Sequence, residues 1–172
     1  MKRLRVPLSK MDIAELKVGE EIFLSGYVFT ARDAAHKRMI EAIDRGESLP
    51  IDIKDACIYY AGPCPAKPGQ IIGSCGPTTA SRMDRFAPRL YDMGLRCVIG
   101  KGPVGDEVKQ SIKRNNACYF AATGGAGALI ASCVISVETI AYEDLGAESI
   151  KKLEVKDFPV IVAVKGEKDI FF

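Results

Sequence analysis

The sequence predicts a mixed α/β domain with a barrel-like or layered sheet, and three observations carry that prediction. The second half alternates apolar β-type runs (96–100, 117–122, 133–141) with helical stretches (104–114, 127–131), the pattern of parallel strands joined by helical crossovers. The first half is richer in strands, at 22–30, 56–61 and 70–73. The 172 residues contain no internal repeat, low-complexity tract or long linker and suffice for one hydrophobic core, so residues 1–172 are expected to form a single domain.

Each element has a local reason. The strand at 22–30 is entered from the turn Val18-Gly19-Glu20. Residues 32–45 read as a helix because Ala35, Met39, Ala42 and Ile43 share one face, and Gly46 ends it. The strand at 56–61 is closed by Gly62-Pro63-Cys64-Pro65, where two prolines bracketing one residue exclude both helix and central strand. After the short strand at 70–73, the turn Gly76-Pro77-Thr78-Thr79 leads into a helix that starts near Thr79. Met83, Phe86, Leu90 and Met93 form its buried stripe, with Arg82, Arg85 and Arg89 on the adjacent face. Pro88 lies inside this pattern and predicts a kink or break, and Gly94 ends the helix. Residues 153–155 and 159–164 supply the last strands.

Composition excludes several function classes. A net charge of +2 is too small for a nucleic-acid footprint, so any functional basicity must be local. The basic start, Met-Lys-Arg-Leu-Arg, lacks the apolar run of a signal peptide, which points to a cytoplasmic protein. The uncharged stretch 115–137 is interrupted by Gly124, Gly125, Gly127, Thr123, Ser132 and Ser136. It reads as a strand, a glycine turn and a short helix rather than a membrane span. The six cysteines (57, 64, 75, 97, 118 and 133) show no C-x-x-C and match no iron–sulfur spacing. Cys57, Cys97, Cys118 and Cys133 lie in apolar runs and read as small core residues, whereas Cys64 and Cys75 lie in Gly/Pro loops and read as exposed.

Three segments carry candidate chemistry. In Gly76-Pro77-Thr78-Thr79-Ala80-Ser81-Arg82, a glycine turn entering a helix offers unpaired N–H groups to an anion. Thr78 and Thr79 add hydroxyls, and Arg82 can clamp a carboxylate bidentately. The competing reading is a threonine N-cap beside a solvated arginine. In Thr30-Ala31-Arg32-Asp33-Ala34-Ala35-His36, a strand again runs into a helix with Arg32 at the junction. His36, the only histidine, is either an acid–base group or a packing residue, and Asp33 reads as a first-turn acid complementing the helix dipole. In Gly100-Lys101-Gly102, a lysine ends a strand, where α/β folds place ligands, or it is simply an exposed loop residue. Thr123-Gly124-Gly125-Ala126-Gly127 lacks the Gly-Lys-Ser/Thr of a P-loop and fits tight packing better than nucleotide binding. Two arginines and a lysine at element junctions suit a dicarboxylate, yet no reactive group accompanies them: the segments form a substrate clamp whose cofactor sits elsewhere.

Five strings then occur in order: Arg-Asp-Ala-Ala-His-Lys-Arg (32–38), Tyr-Tyr-Ala-Gly-Pro-Cys-Pro-Ala-Lys-Pro-Gly (59–69), Gly-Pro-Thr-Thr-Ala-Ser-Arg-Met-Asp (76–84), Gly-Lys-Gly (100–102) and Thr-Gly-Gly-Ala (123–126). They resemble the β subunit, or C-terminal domain, of the iron–sulfur hydro-lyases, class I fumarate hydratase and L(+)-tartrate dehydratase. The resemblance implies an α/β swivelling β/β/α domain, with a mixed sheet and helical crossovers, that hydrates fumarate to malate or dehydrates tartrate to oxaloacetate. It implies a partner α subunit whose three cysteines hold a [4Fe–4S] cluster with an open, Lewis-acidic iron, in an α2β2 assembly. No segment here resembles that cluster-binding half. Carried over by residue, Arg32 and Arg82 bind substrate carboxylates, Lys101 adds a cation, and Thr78 and Thr79 line the site. Thr78 is similar to the proposed base at the substrate carbon, and His36 orients Arg32 or relays a proton. The rival reading is a non-catalytic dicarboxylate-binding module.

Overall fold

The computed structural model describes residues 2–122 and 127–171. Five strands hydrogen-bond in a ring: β2 (Glu21–Thr30), β3 (Cys57–Tyr59), β4 (Cys97–Gly100), β5 (Cys118–Ala121) and β7 (Ile150–Lys165). β2, β3, β4 and β5 run parallel. The long β7 closes the ring, antiparallel to β5 on one edge and to β2 on the other. The fold is therefore mixed α/β with a closed, barrel-like sheet. β1 (Lys2–Val6) lies parallel to the first half of β2, β6 (Val134–Ala141) antiparallel to the first half of β7, and β8 (Lys168–Asp169) folds back on the end of β7.

Strand alternation sorts side chains into two cores. The ring encloses Ile22, Leu24, Val28, Cys57, Tyr59, Cys97, Ile99, Cys118, Phe120 and Val162. The helix α1 (Lys10–Ala14), started by a Ser9/Asp12 capping box, adds Ile13 to this core. On the outer face, α2 (Asp33–Asp44), α3 (Ala87–Asp92) and α4 (Asp106–Arg114) press Met39, Leu90, Val108 and Ile112 against Ile58, Tyr60, Val98 and Tyr119. α5 (Gly127–Ser132) contributes Ile130 to the enclosed core.

Several expectations shift. No strand forms at 70–73: Gly73 donates to the Cys64 carbonyl (3.2 Å) and Cys64 to the Ser74 carbonyl (2.9 Å), so the loop pairs with itself. The helix expected near Thr79 is a single 3-10 turn, Ala80–Met83, followed by α3. Pro88 sits in the first turn of α3, where its missing N–H costs no hydrogen bond. Met83, Phe86 and Leu90 are buried as the stripe predicts, but Met93 is exposed because it caps the C-terminus of α3. The last two strands are one 16-residue strand, whose pairing with β2 is interrupted by a bulge at Lys156–Asp157, where Asp157 takes the left-handed region (φ 52°). Cys75 is buried rather than exposed. No helix among the described residues is long and apolar enough to cross a membrane.

Candidate active site

The parallel strands bring their carboxyl ends to one end of the barrel, and the predicted cations stand there. Arg32 follows β2 as the N-cap of α2, and Lys101 follows β4. Thr78 and Thr79, from the long loop after β3, are drawn into the sheet beside them. Thr78 donates to the Tyr60 carbonyl (2.7 Å), Lys101 to the Thr78 carbonyl (3.2 Å) and Ala80 to the Lys101 carbonyl (2.8 Å), which sets Thr79 opposite Lys101 as a parallel bridge. Gly100 makes room for this insertion: a Cβ there would stand 3.0 Å from Tyr60 and 3.2 Å from the Ala80 Cβ. These hydrogen bonds correct one sequence expectation. The backbone N–H groups of Thr78 and Ala80 are consumed by the sheet, and a four-residue 3-10 turn carries little macrodipole, so the loop's anion capacity rests on its side chains.

Arg82 and Arg32, from separate loops, meet at one carboxylate. Arg82 Nη2 lies 2.9 Å from Asp33 Oδ2, and Arg32 Nε lies 3.8 Å from Asp33 Oδ1. The Arg32 side chain lies against Gly62, where a Cβ would come within 3.0 Å of its Cδ. The Ala34 N–H at the start of α2 donates to Glu148 (3.1 Å), so a carboxylate of this chain already occupies that helix terminus. The Arg82 side chain is 52% exposed and Lys101 is exposed, while Thr78 and Thr79 are half-buried. The clamp faces outward.

His36 departs from an acid–base role. It is fully buried beneath the clamp between Tyr60 and Phe86, with Nδ1 2.8 Å from the Arg32 carbonyl and Nε2 lacking a partner. Burial pushes its pKa down to about 4, so it is neutral near pH 7. Nδ1 donates to the Arg32 carbonyl in the tautomer that satisfies both atoms. Two supports escaped the sequence reading. The Asp84 carboxylate accepts the Gly105 N–H (2.9 Å), tying the loop of Arg82 to that of Lys101, and Tyr119 Oη of β5 donates to the Gly102 carbonyl (2.7 Å), anchoring the latter loop. Asp84 was legible as the end of the Arg-Met-Asp string, but its partner was not.

The cysteines do not fit a metal cluster. Cys57, Cys97 and Cys118 stand in register on adjacent strands inside the barrel. A hydrogen bond with Cys97, together with burial, raises the thiol pKa of Cys57, and burial raises that of Cys118, which opposes the thiolate that iron requires. Among the described residues no three His, Cys, Asp or Glu side chains converge as a metal site. Residues 123–126, which carry most of the glycine string, lie outside the described residues.

An α/β barrel thus presents two arginines, a lysine and two threonines at the carboxyl ends of its parallel strands, the end at which α/β folds place ligands. The chain belongs to the Fumarase C-terminus family, whose model matches residues 2–172. It is 37% identical over 173 residues to the class I aerobic fumarate hydratase of Salmonella typhimurium, an alignment covering 98% of this chain and 30% of that protein. It is 36% identical over 165 residues to fumarate hydratase 2 of Leishmania major, covering 94% and 29%. A Methanocaldococcus jannaschii protein provisionally named L(+)-tartrate dehydratase subunit beta is 36% identical over 163 residues, covering 91% of this chain and 84% of that one. The chain thus spans about a third of the length of the fumarate hydratases it matches.

Proposed function

We propose that this chain is the β subunit of a two-part iron–sulfur hydro-lyase that hydrates fumarate reversibly to malate. The observation that carries the reading is the convergence of Arg32 and Arg82 on one carboxylate, beside the Thr78–Thr79 segment paired with Lys101. Arg32 and Arg82 take the substrate's two carboxylates, and Lys101 adds a third cation. Thr78 acts at the substrate carbon: its hydroxyl delivers the proton to one alkene carbon during hydration and takes it from that carbon during dehydration. Water adds its OH to the other carbon, and its remaining proton returns to the Thr78 alkoxide, so the hydroxyl is regenerated. The surrounding cations lower the cost of the developing alkoxide. Thr79 lines the site, and His36 holds the backbone at Arg32.

The outward-facing clamp and the cysteines' poor fit to iron both support an α partner that completes the site and holds the [4Fe–4S] cluster. The assembly is α2β2 and cytoplasmic, with this chain as its swivelling β/β/α domain. Tartrate dehydration is the second reading. It is favoured by the Methanocaldococcus jannaschii relative, which matches this chain along most of its length as a subunit in its own right.

Anaerobic reconstitution with an α-type subunit and a cluster, each part also assayed alone, tests the proposal. Activity on fumarate only in the mixture supports it, and preference for tartrate selects the second reading. An assembled, cluster-loaded mixture without activity on either, but with dicarboxylate binding by this chain alone, makes it a binding module.

A further inference from the structure

The clamp leaves one residue of the site without a role. Asp33 stands at the first position of α2, where an acid complements the helix dipole. The Ala34 N–H at that terminus is already met by Glu148, and the Asp33 carboxylate turns to the arginines instead. One oxygen touches Arg82 at 2.9 Å and the other faces Arg32 Nε at 3.8 Å. Arg32 Nε and Asp33 Oδ1 are both buried, and neither has a hydrogen-bond partner, so each faces the other's charge. Asp33 is therefore the physical link between two loops that share no strand.

Resting on the clamp reading above, we infer that Asp33 is the positioning residue that fixes Arg32 and Arg82 beside one another, ready for the two carboxylates of a dicarboxylate. A long arginine side chain loses rotamer freedom when it binds a ligand, and fixing it beforehand removes that cost. A carboxylate anchored at the start of a helix does this for both arginines at once. It engages one edge of Arg82, whose guanidinium has five N–H donors, and leaves the others for substrate. It also lets two neighbouring cations coexist before any ligand arrives.

The test is calorimetric binding of succinate, a C4 dicarboxylate with no double bond to hydrate, to the assembled two-part protein. Asp33→Asn removes the charge and keeps the shape; Asp33→Ala removes both. Succinate Kd should rise about threefold for Asn and about tenfold for Ala, the range expected of a half-exposed charge pair. In turnover, KM should rise in parallel while kcat changes less. Adding Asp33→Ala to Arg82→Ala should cost less than the sum of the two single losses, because only the share that acts through Arg32 remains. Unchanged or tighter succinate binding by Asp33→Ala, while Arg82→Ala binds weakly, overturns this inference alone. Additive losses in the double variant also overturn it, since Asp33 would then act through the fold. Unchanged binding by Arg82→Ala sinks the clamp reading and this inference with it. If Asp33→Ala fails to assemble, the Asn variant carries the test.

Discussion

The two ends of the barrel use arginine in opposite ways. At the amino ends of the strands, Arg96 is buried with its side chain 8% exposed. It donates to Asp55 (2.7 Å) and to the carbonyls of Asn115 (3.3 Å) and Asn116 (3.2 Å), gathering the segments that enter β3, β4 and β5. At the carboxyl ends, Arg82 is half-exposed and pairs with Asp33 alone among the described residues. An arginine surrounded by acceptors joins parts of the fold; one with spare donors facing water is free to take a ligand, the role proposed for Arg82. The residue type is the same, and the number of acceptors within reach separates the two roles.

The largest effect should come from emptying the receiving end. Arg82→Ala should cut kcat/KM of the reconstituted enzyme by about a hundredfold or more, since a charge-assisted contact to the reacting substrate is lost. The melting temperature should move by no more than about 3 °C, because an exposed ion pair contributes little to stability. Arg82→Lys should recover little of the activity if the contact is bidentate. Normal kcat/KM in Arg82→Ala would break the comparison outright.

His36 lies beneath the receiving end and makes that region pH-sensitive. Its pKa is about 4 folded against 6.5 when unfolded, so the unfolded chain binds the proton first as pH falls. The stabilisation is complete above pH 6.5 and is lost as pH drops toward 4, about 3 kcal/mol in all and about 1 kcal/mol by pH 5.5. Urea unfolding near pH 7.5 and near pH 5.5 should show this loss in the native chain and a flatter dependence in His36→Gln. Equal slopes would mean that the imidazole reaches water.

Removing the joining arginine should have the inverse signature of Arg82→Ala. Arg96→Met should lose about 2 kcal/mol of unfolding free energy, since two buried carbonyls lose their donor while the partly exposed Asp55 relaxes into water. Succinate affinity of the folded fraction should be unchanged, and a weakened affinity would show that the two ends are coupled. The smallest effect concerns the thiols. Cys64 should react with a maleimide within minutes, while buried Cys57, Cys75, Cys97 and Cys118 stay protected until unfolding. Intact-mass analysis reads the order, and early labelling of Cys75 would show that the loop behind the clamp opens.

Local pattern was enough for the helix face of α2, the existence of α4, most of the strands that alternate or run apolar, the break before Pro88 and the placing of Arg32, Arg82 and Lys101 at element junctions. These follow from repeats of two and 3.6 residues and from turn chemistry, which act within a few residues along the chain. β1 and α1 carried weaker marks. The 3-10 turn at Ala80–Met83 replaced a helix because the neighbouring backbone was drawn into the sheet instead.

Tertiary structure alone decided the rest. Periodicity says which face of a strand is apolar but not which edge it will find, so the closing of β7 onto β2 and β5 was invisible. The same limit hid Asp33 meeting Arg82, Glu148 reaching the start of α2 and Asp84 meeting Gly105, all pairs far apart along the chain. It also hid that the only histidine is neutral and enclosed, because the burial that shifts a pKa is a property of the assembled core. Charge and hydroxyl content at the turns is written locally; which of those groups share a carboxylate, and which still have donors to spare, depends on contacts that exist only once the ring of strands has closed.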